Sequence, residues 1–195
     1  MKIYSTRDYF IKEVSGQEKE SNSEIASITT GSNRSLRSLG RAKARPLTKR
    51  YALKGESVLE PVVQEETTGC GIASVANILG KTYSEMKAVA NAMGIHASDK
   101  SLWSDTQYVR RMLSSAGVKT SADEAPFESW EALPNLALLS IKHHQEEGKD
   151  FWHWVVFKRV GGEPFVLDSA SYLPSNIRQD FDAMQPKWFI EVENA

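Results

Sequence analysis

Cys70 is the only cysteine of the chain, and it stands in Gln64-Glu65-Glu66-Thr67-Thr68-Gly69-Cys70-Gly71, directly before the apolar run Ile72 to Leu79. Read as a helix that stops at Gly80, this run puts the thiol at a helix N-terminus. Unpaired backbone N–H groups and the helix dipole favour negative charge there. The thiolate is the reactive form of cysteine, so the position suits a nucleophile. Further on, His153 leads into the apolar run Trp154-Val155-Val156-Phe157, and Asp168 closes the run Phe165-Val166-Leu167. Acyl-transfer chemistry on a thiol needs a nucleophile, a base that holds and returns its proton, a group that orients the base, and donors aimed at the oxyanion. Cys70, His153, Asp168 and Gln64 are of the right types for these four roles in that order. Gln64 precedes Cys70 by six residues, which lets an irregular loop return its amide beside the Cys70 backbone N–H.

Each residue alone has a plainer use. A buried cysteine is most often a small core hydrophobe, and a strand histidine is as often a satisfied core residue as a base. The occurrence of all four together outweighs those uses. His143 and His144 fall in the polar run Lys142 to Asp150, which reads as a loop, and His96 reads as surface. Trp152 and Trp154 alternate with His153 along a strand and so are expected on its opposite face, packing the core. A Cys-His-Asp metal site would lack any recognised ligand spacing, so no metal and no cofactor are expected.

The elements that must position these residues come in two blocks. After the Cys70 helix, Thr82-Tyr83-Ser84-Glu85 has the form of a capping box, opening a helix to Met93 that stops at Gly94. Ser104-Asp105-Thr106-Gln107 repeats that form and opens a third helix, with Val109, Met112 and Leu113 at helical spacing and a stop at Gly117. Then the period changes. Leu136 to Ile141, Phe151 to Val160, Phe165 to Leu167 and Trp188 to Val192 read as strands, and Gly161-Gly162 marks a hairpin turn. Helices followed by strands indicate an α+β fold, a helical first half packed on an antiparallel sheet with the site at their seam.

The chain has 195 residues, 41% of them hydrophobic, enough for one ordinary domain and an extension. No run approaches the roughly 18–20 apolar residues of a membrane helix. A single cysteine excludes an internal disulfide framework and a thiolate-rich zinc site. The first residues, Met1 to Phe10, lack the apolar core of a Sec signal peptide, so cytoplasmic residence, or export by a route that needs no such signal, is expected. Charge is unevenly placed: residues 1–56 carry 12 Lys and Arg against 6 Asp and Glu, and residues 57–195 carry 12 against 19. Ser15 to about Lys49 is rich in Ser, Gly, Thr, Asn and charge, a composition that cannot bury enough surface to offset chain entropy. Residues 1–56 are therefore expected to be a basic, largely disordered extension, suited to an acidic partner. No aromatic residues interleave the basic ones between Glu24 and Glu56 as a nucleic-acid stacking surface would need, until Tyr51 at its end. The folded domain is expected over residues 57–195, with Val58 to Val63 leading into Gln64.

Gln64, Gly69-Cys70-Gly71, His153-Trp154-Val155-Val156 and Val166-Leu167-Asp168 together resemble the papain-like cysteine peptidases, in which Gln, Cys, His and Asn or Asp occur in this order. Within that superfamily the chain is most similar to the peptidase domains that process double-glycine leader peptides of bacteriocins. Their histidine begins a His-x-Val-Val strand, and their aspartate follows about fifteen residues on. The resemblance covers roughly residues 58–192. It implies a bacterial thiol protease acting on a peptide or protein, with Cys70 as nucleophile, His153 as base, Asp168 as orienter and Gln64 in the oxyanion hole. Two departures stand out: Gly69 occupies the place before the cysteine where those peptidases usually carry an acid, and the transporter to which they are usually fused has no counterpart in this sequence. Gly161-Gly162, inside the expected hairpin, is not a leader cleavage site.

Three function classes follow from these readings. One is a thiol hydrolase of peptide or isopeptide bonds. Another keeps the fold and the nucleophile but deamidates or transfers acyl groups on a protein, as an exported bacterial effector would. The third is a binding module without catalysis, which has no physical need for all four side chains.

Overall fold

The computed structural model describes residues 60–193. The basic extension and the boundary at residue 57 lie outside the described residues. Three α-helices come first: α1 (Cys70–Leu79), α2 (Tyr83–Ala92) and α3 (Gln107–Ser115), with a 3-10 turn at Lys100–Ser104 between the last two. Six strands follow: β1 (Ala125–Pro126), β2 (Leu136–Glu146), β3 (Lys149–Val160), β4 (Glu163–Asp168), β5 (Ile177–Arg178) and β6 (Trp188–Glu191). They form one sheet in the order β1-β6-β2-β3-β4-β5, with every neighbouring pair antiparallel. The α+β organisation expected from the change of period is what the chain adopts.

The helix ends follow local chemistry, with one correction. Gly80 ends α1 at a φ of 62°, a left-handed conformation that costs glycine little. At α2 the capping box forms in full: Glu85 N–H donates to Thr82 Oγ1, and Thr82 N–H donates to Glu85 Oε2 at 2.8 Å. The second box does not form. Ser104 ends the 3-10 turn instead, and the acceptor before α3 is Asp105 Oδ1, which takes the Gln107 N–H at 2.7 Å. A short carboxylate side chain two residues ahead satisfies the orphan donor as a threonine or serine would.

The sheet also extends beyond its expected edges. Residues Lys142 to Asp150, read as a loop, continue β2 and β3 to a tight turn at Glu147-Gly148. The register slips between Ile141 and His144, where Lys142 takes a φ of 53°. A bulge of this kind lets a polar run stay paired while the strand bends. His143 and His144 therefore lie on a strand: His143 Nε2 meets Asp150 Oδ1 at 2.9 Å, and His144 Nδ1 meets the Lys142 carbonyl. His96 is exposed, as expected.

The sheet is buried on both faces, which is why β3 reads as a continuous apolar run and not an alternating one. Trp152, Trp154 and Val156 join the helix-side core with Ile72, Val75, Met86, Val109 and Met112. Val155 and Phe157 join a second core with Leu139, Val166 and Met184, roofed by Phe127, Trp130 and Phe181. Ser140 pairs with both Trp154 and Trp188, and its small side chain lets those two rings meet edge to face at 5.2 Å. Trp154 is fully buried. Replacing it with alanine should destabilise the domain by about 3–5 kcal/mol, whereas Thr82→Ala should cost only about 1 kcal/mol. Chemical denaturation curves of the two variants check both figures.

Candidate active site

The segment before α1 is held through its backbone by α1 itself and by the residue that follows β4. Val62 N–H donates to Asn77 Oδ1 at 2.8 Å, and Gln64 N–H donates to the Ser169 carbonyl at 2.9 Å. These contacts set the loop Glu65–Gly69 across the end of β4, so that the N-terminus of α1 meets the sheet beside Asp168. Cys70 is the first residue of α1 and is buried. His153 lies in β3 opposite Ile141, and Asp168 is the last residue of β4, opposite Val155.

The three side chains come together. His153 Nε2 meets Asp168 Oδ1 at 2.7 Å, and Cys70 lies close enough to the imidazole that its side chain helps to raise the His153 pKa. Burial by itself pulls the His153 pKa down, but the charge and hydrogen bond of Asp168, and then Cys70, raise it to about 10. Asp168 is 1% exposed. Burial opposes its ionisation, yet His153, the Ala170 N–H and Arg178 hold its carboxyl well below the usual carboxylate range. The imidazolium and carboxylate form a buried pair on one side of the thiol.

Arg178 was not among the residues singled out from the sequence. Its Nη1 donates to Asp168 Oδ2 at 3.0 Å, while Nε and Nη2 hold Asp180. Both oxygens of Asp168 thus face cations. Asn176 fastens the chain just beyond, donating from Nδ2 to the carbonyls of Asp168 and Ala170 at 2.7 and 2.9 Å. No local signal marks Arg178 or Asn176, since they return to Asp168 only through the turn that carries β5 back along β4.

Gln64 occupies the approach to Cys70, half-buried. Both hydrogens of its amide are engaged: Nε2 donates to the Glu66 and Thr67 carbonyls, each at 3.0 Å. Its Oε1 accepts from Ser169 Oγ at 2.8 Å. Gln64 therefore ties the loop before the cysteine to the residue after Asp168. Of the four expected residues, three meet directly, and the fourth lies in the connecting loop with its donors turned to the backbone.

The glycines around Cys70 are explained by close approach. A Cβ on Gly69 would lie 2.0 Å from Tyr83 Oη, and the Tyr83 hydroxyl donates to Glu66 Oε2 at 2.6 Å. Lys87 pairs with the same carboxylate. The space that a side chain before the cysteine would need is thus filled from α2. Among the described residues, no group of three or more His, Cys, Asp and Glu side chains is arranged to hold a metal ion. No helix among them is long and apolar enough to cross a membrane. A cavity of about 480 Å³ lined by Arg110, Ser114, Lys119, Thr120 and Glu193 includes none of the site residues.

No family model and no curated protein matches the chain. Among solved structures, it is similar to a double glycine motif protease from an AMS/PCAT transporter, crystallised in complex with the leader peptide. The two are 17% identical, the match covers 68% of this chain and 89% of that one, and the TM-score is 0.45. At that level the likeness assigns no activity to this chain.

The pair makes stability depend on pH in a definite sense. The raised His153 contributes in full below its ordinary value of 6.5 and loses that contribution as pH rises through about 10. The lowered Asp168 contributes above its ordinary value of 3.8 and loses its contribution as pH falls further. Asp168→Asn removes both. The difference in unfolding free energy between the native chain and this variant should be widest near pH 5–6, at about 3 kcal/mol, and should narrow toward both pH extremes. Urea denaturation across pH measures it.

Proposed function

We propose that this chain is a papain-like thiol hydrolase that cleaves a peptide or isopeptide bond. The observation that carries the reading is the contact of Cys70, at a helix N-terminus, with a histidine whose other ring nitrogen is on a buried carboxylate. In this reading the thiol proton resides on His153, giving the thiolate–imidazolium pair that the raised His153 pKa favours, and the sulfur attacks the substrate carbonyl carbon. The oxyanion that forms is met by the Cys70 N–H, a first-turn donor with no place in the helix ladder. Imidazolium then gives its proton to the leaving amine, and a thioester remains on Cys70. Water, deprotonated by His153, releases the acid and restores the thiol. Asp168 keeps the ring oriented, and Arg178 keeps Asp168 ionised in both halves of the cycle.

Gln64 enters as the second oxyanion donor. Its amide hydrogens serve two loop carbonyls, so one must be exchanged for the oxyanion as substrate binds. That exchange costs little at the Thr67 carbonyl, which is exposed and can turn to water. The basic extension remains a proposed tether for an acidic partner, separate from the chemistry.

Incubation with a peptide library followed by mass spectrometry tests the reading and reports cleavage, deamidation or acyl transfer by mass. Cleavage is expected; Cys70→Ala should abolish it while leaving the fold intact, and His153→Ala should abolish it at a cost in stability, since it leaves Asp168 with one cation. Deamidated or acylated products without cleavage would replace hydrolysis with those reactions. Gln64→Ala should lower kcat about 10²–10³-fold, with alkylation of Cys70 by iodoacetamide nearly unchanged, because simple alkylation forms no oxyanion. Equal loss in both assays would show that Gln64 only shapes the loop.

A further inference from the structure

Cys70 is flanked by two glycines, and a tyrosine hydroxyl stands where each would carry a Cβ: Tyr83 Oη at 2.0 Å for Gly69, Tyr108 Oη at 1.9 Å for Gly71. The two hydroxyls differ in what they hold. Tyr83 is satisfied by Glu66. Tyr108, at 1% exposure, keeps its hydroxyl in the core, where the Gly71 N–H faces its oxygen and its own proton has no acceptor among the described residues. Burying a hydroxyl proton with no acceptor is unfavourable, and phenylalanine would fill the same space without that cost. The Tyr108 ring comes from the first turn of α3, and only the missing side chain at Gly71 lets its oxygen come so close to the backbone beside the sulfur.

We propose that Tyr108 is a positioning residue for Cys70, its hydroxyl proton kept for the thiolate sulfur that forms when His153 takes the thiol proton. The inference rests on the thiol-hydrolase reading above. Burial, and then the charge of Cys70, hold the Tyr108 phenol well above its ordinary pKa. It can therefore donate a hydrogen bond to the sulfur without losing its proton. A neutral thiol leaves this donor idle, and the thiolate satisfies it. The hydroxyl thus favours ionised Cys70 over the neutral thiol, which is a poorer acceptor.

The test is the ultraviolet absorbance of the thiolate, followed from acid to neutral pH with Cys70→Ser as the blank. This measurement needs no reagent to reach a buried sulfur. Tyr108→Phe should lower the thiolate-to-thiol ratio about tenfold at a given pH, moving the titration about one unit upward. Its thermal stability should change little, because the variant removes a donor that has no acceptor together with one contact to the Gly71 N–H. Superimposable titrations of native chain and Tyr108→Phe would overturn the inference. A clear loss of stability would do so as well, by showing that the hydroxyl serves the fold. If the native chain has a thiolate that His153→Ala removes while Tyr108→Phe changes nothing, this inference alone fails. A native chain with no thiolate at neutral pH sinks it together with the hydrolase reading.

Discussion

A carboxylate with almost no contact with water stays charged only when cations answer it, and Asp168 is answered on both oxygens, by His153 at 2.7 Å and Arg178 at 3.0 Å. The surrounding structure is arranged to make that meeting possible. The β3–β4 register sets Asp168 opposite Val155, two residues from His153, and the short β5 returns Arg178 to the end of β4. The Ala170 N–H closes the remaining approach to Oδ1. Removing either cation would leave a buried charge underpaired, which is far costlier than the pair itself is favourable. The cluster therefore acts less as a source of stability than as a constraint that permits one arrangement of the sheet end.

The same constraint reaches the thiol. The residue after Asp168 is Ser169, and both its carbonyl and its hydroxyl hold Gln64. The loop from Gln64 to Gly69 is thereby tied to the sheet at one end, while at the other its Glu66 carboxylate is held by Tyr83 and Lys87 of α2. Cys70 lies between these anchors. Its placement against His153 is thus over-determined by backbone, carboxylate and aromatic contacts, which is the preorganisation that the proposed nucleophile would need.

Packing supplies the rigidity behind it. A sheet covered on one face by three helices and on the other by an aromatic roof cannot shift one strand without disturbing both cores. The three tryptophans around Ser140 lie on the helix side of β3, next to the strand position of His153, and make that part of the sheet stiff. Within this well-packed background Tyr108 Oη is one of several buried polar atoms left short of a hydrogen-bond partner, and the one that stands beside Gly71.

Much of this was legible in the residues by themselves. Glycine at 80, 94 and 117 ends helices because left-handed backbone is cheap only there, and Thr82 with Glu85 caps α2 through contacts within one turn. The Gly161-Gly162 turn, the order of helices before strands, and the types of Cys70, His153 and Asp168 are likewise local facts. What the residues did not disclose depends on chain segments that meet only after folding. The cap by Asp105, the bulge at Lys142, the return of Arg178 to Asp168, the engagement of Gln64 by its own loop, and the two tyrosines against Gly69 and Gly71 leave no periodic trace. Periodicity and capping report which face of an element is buried and where it stops. Which side chain from a distant element fills a given space is decided by packing, and in this protein packing decided how the thiol, the imidazole and the carboxylate are held.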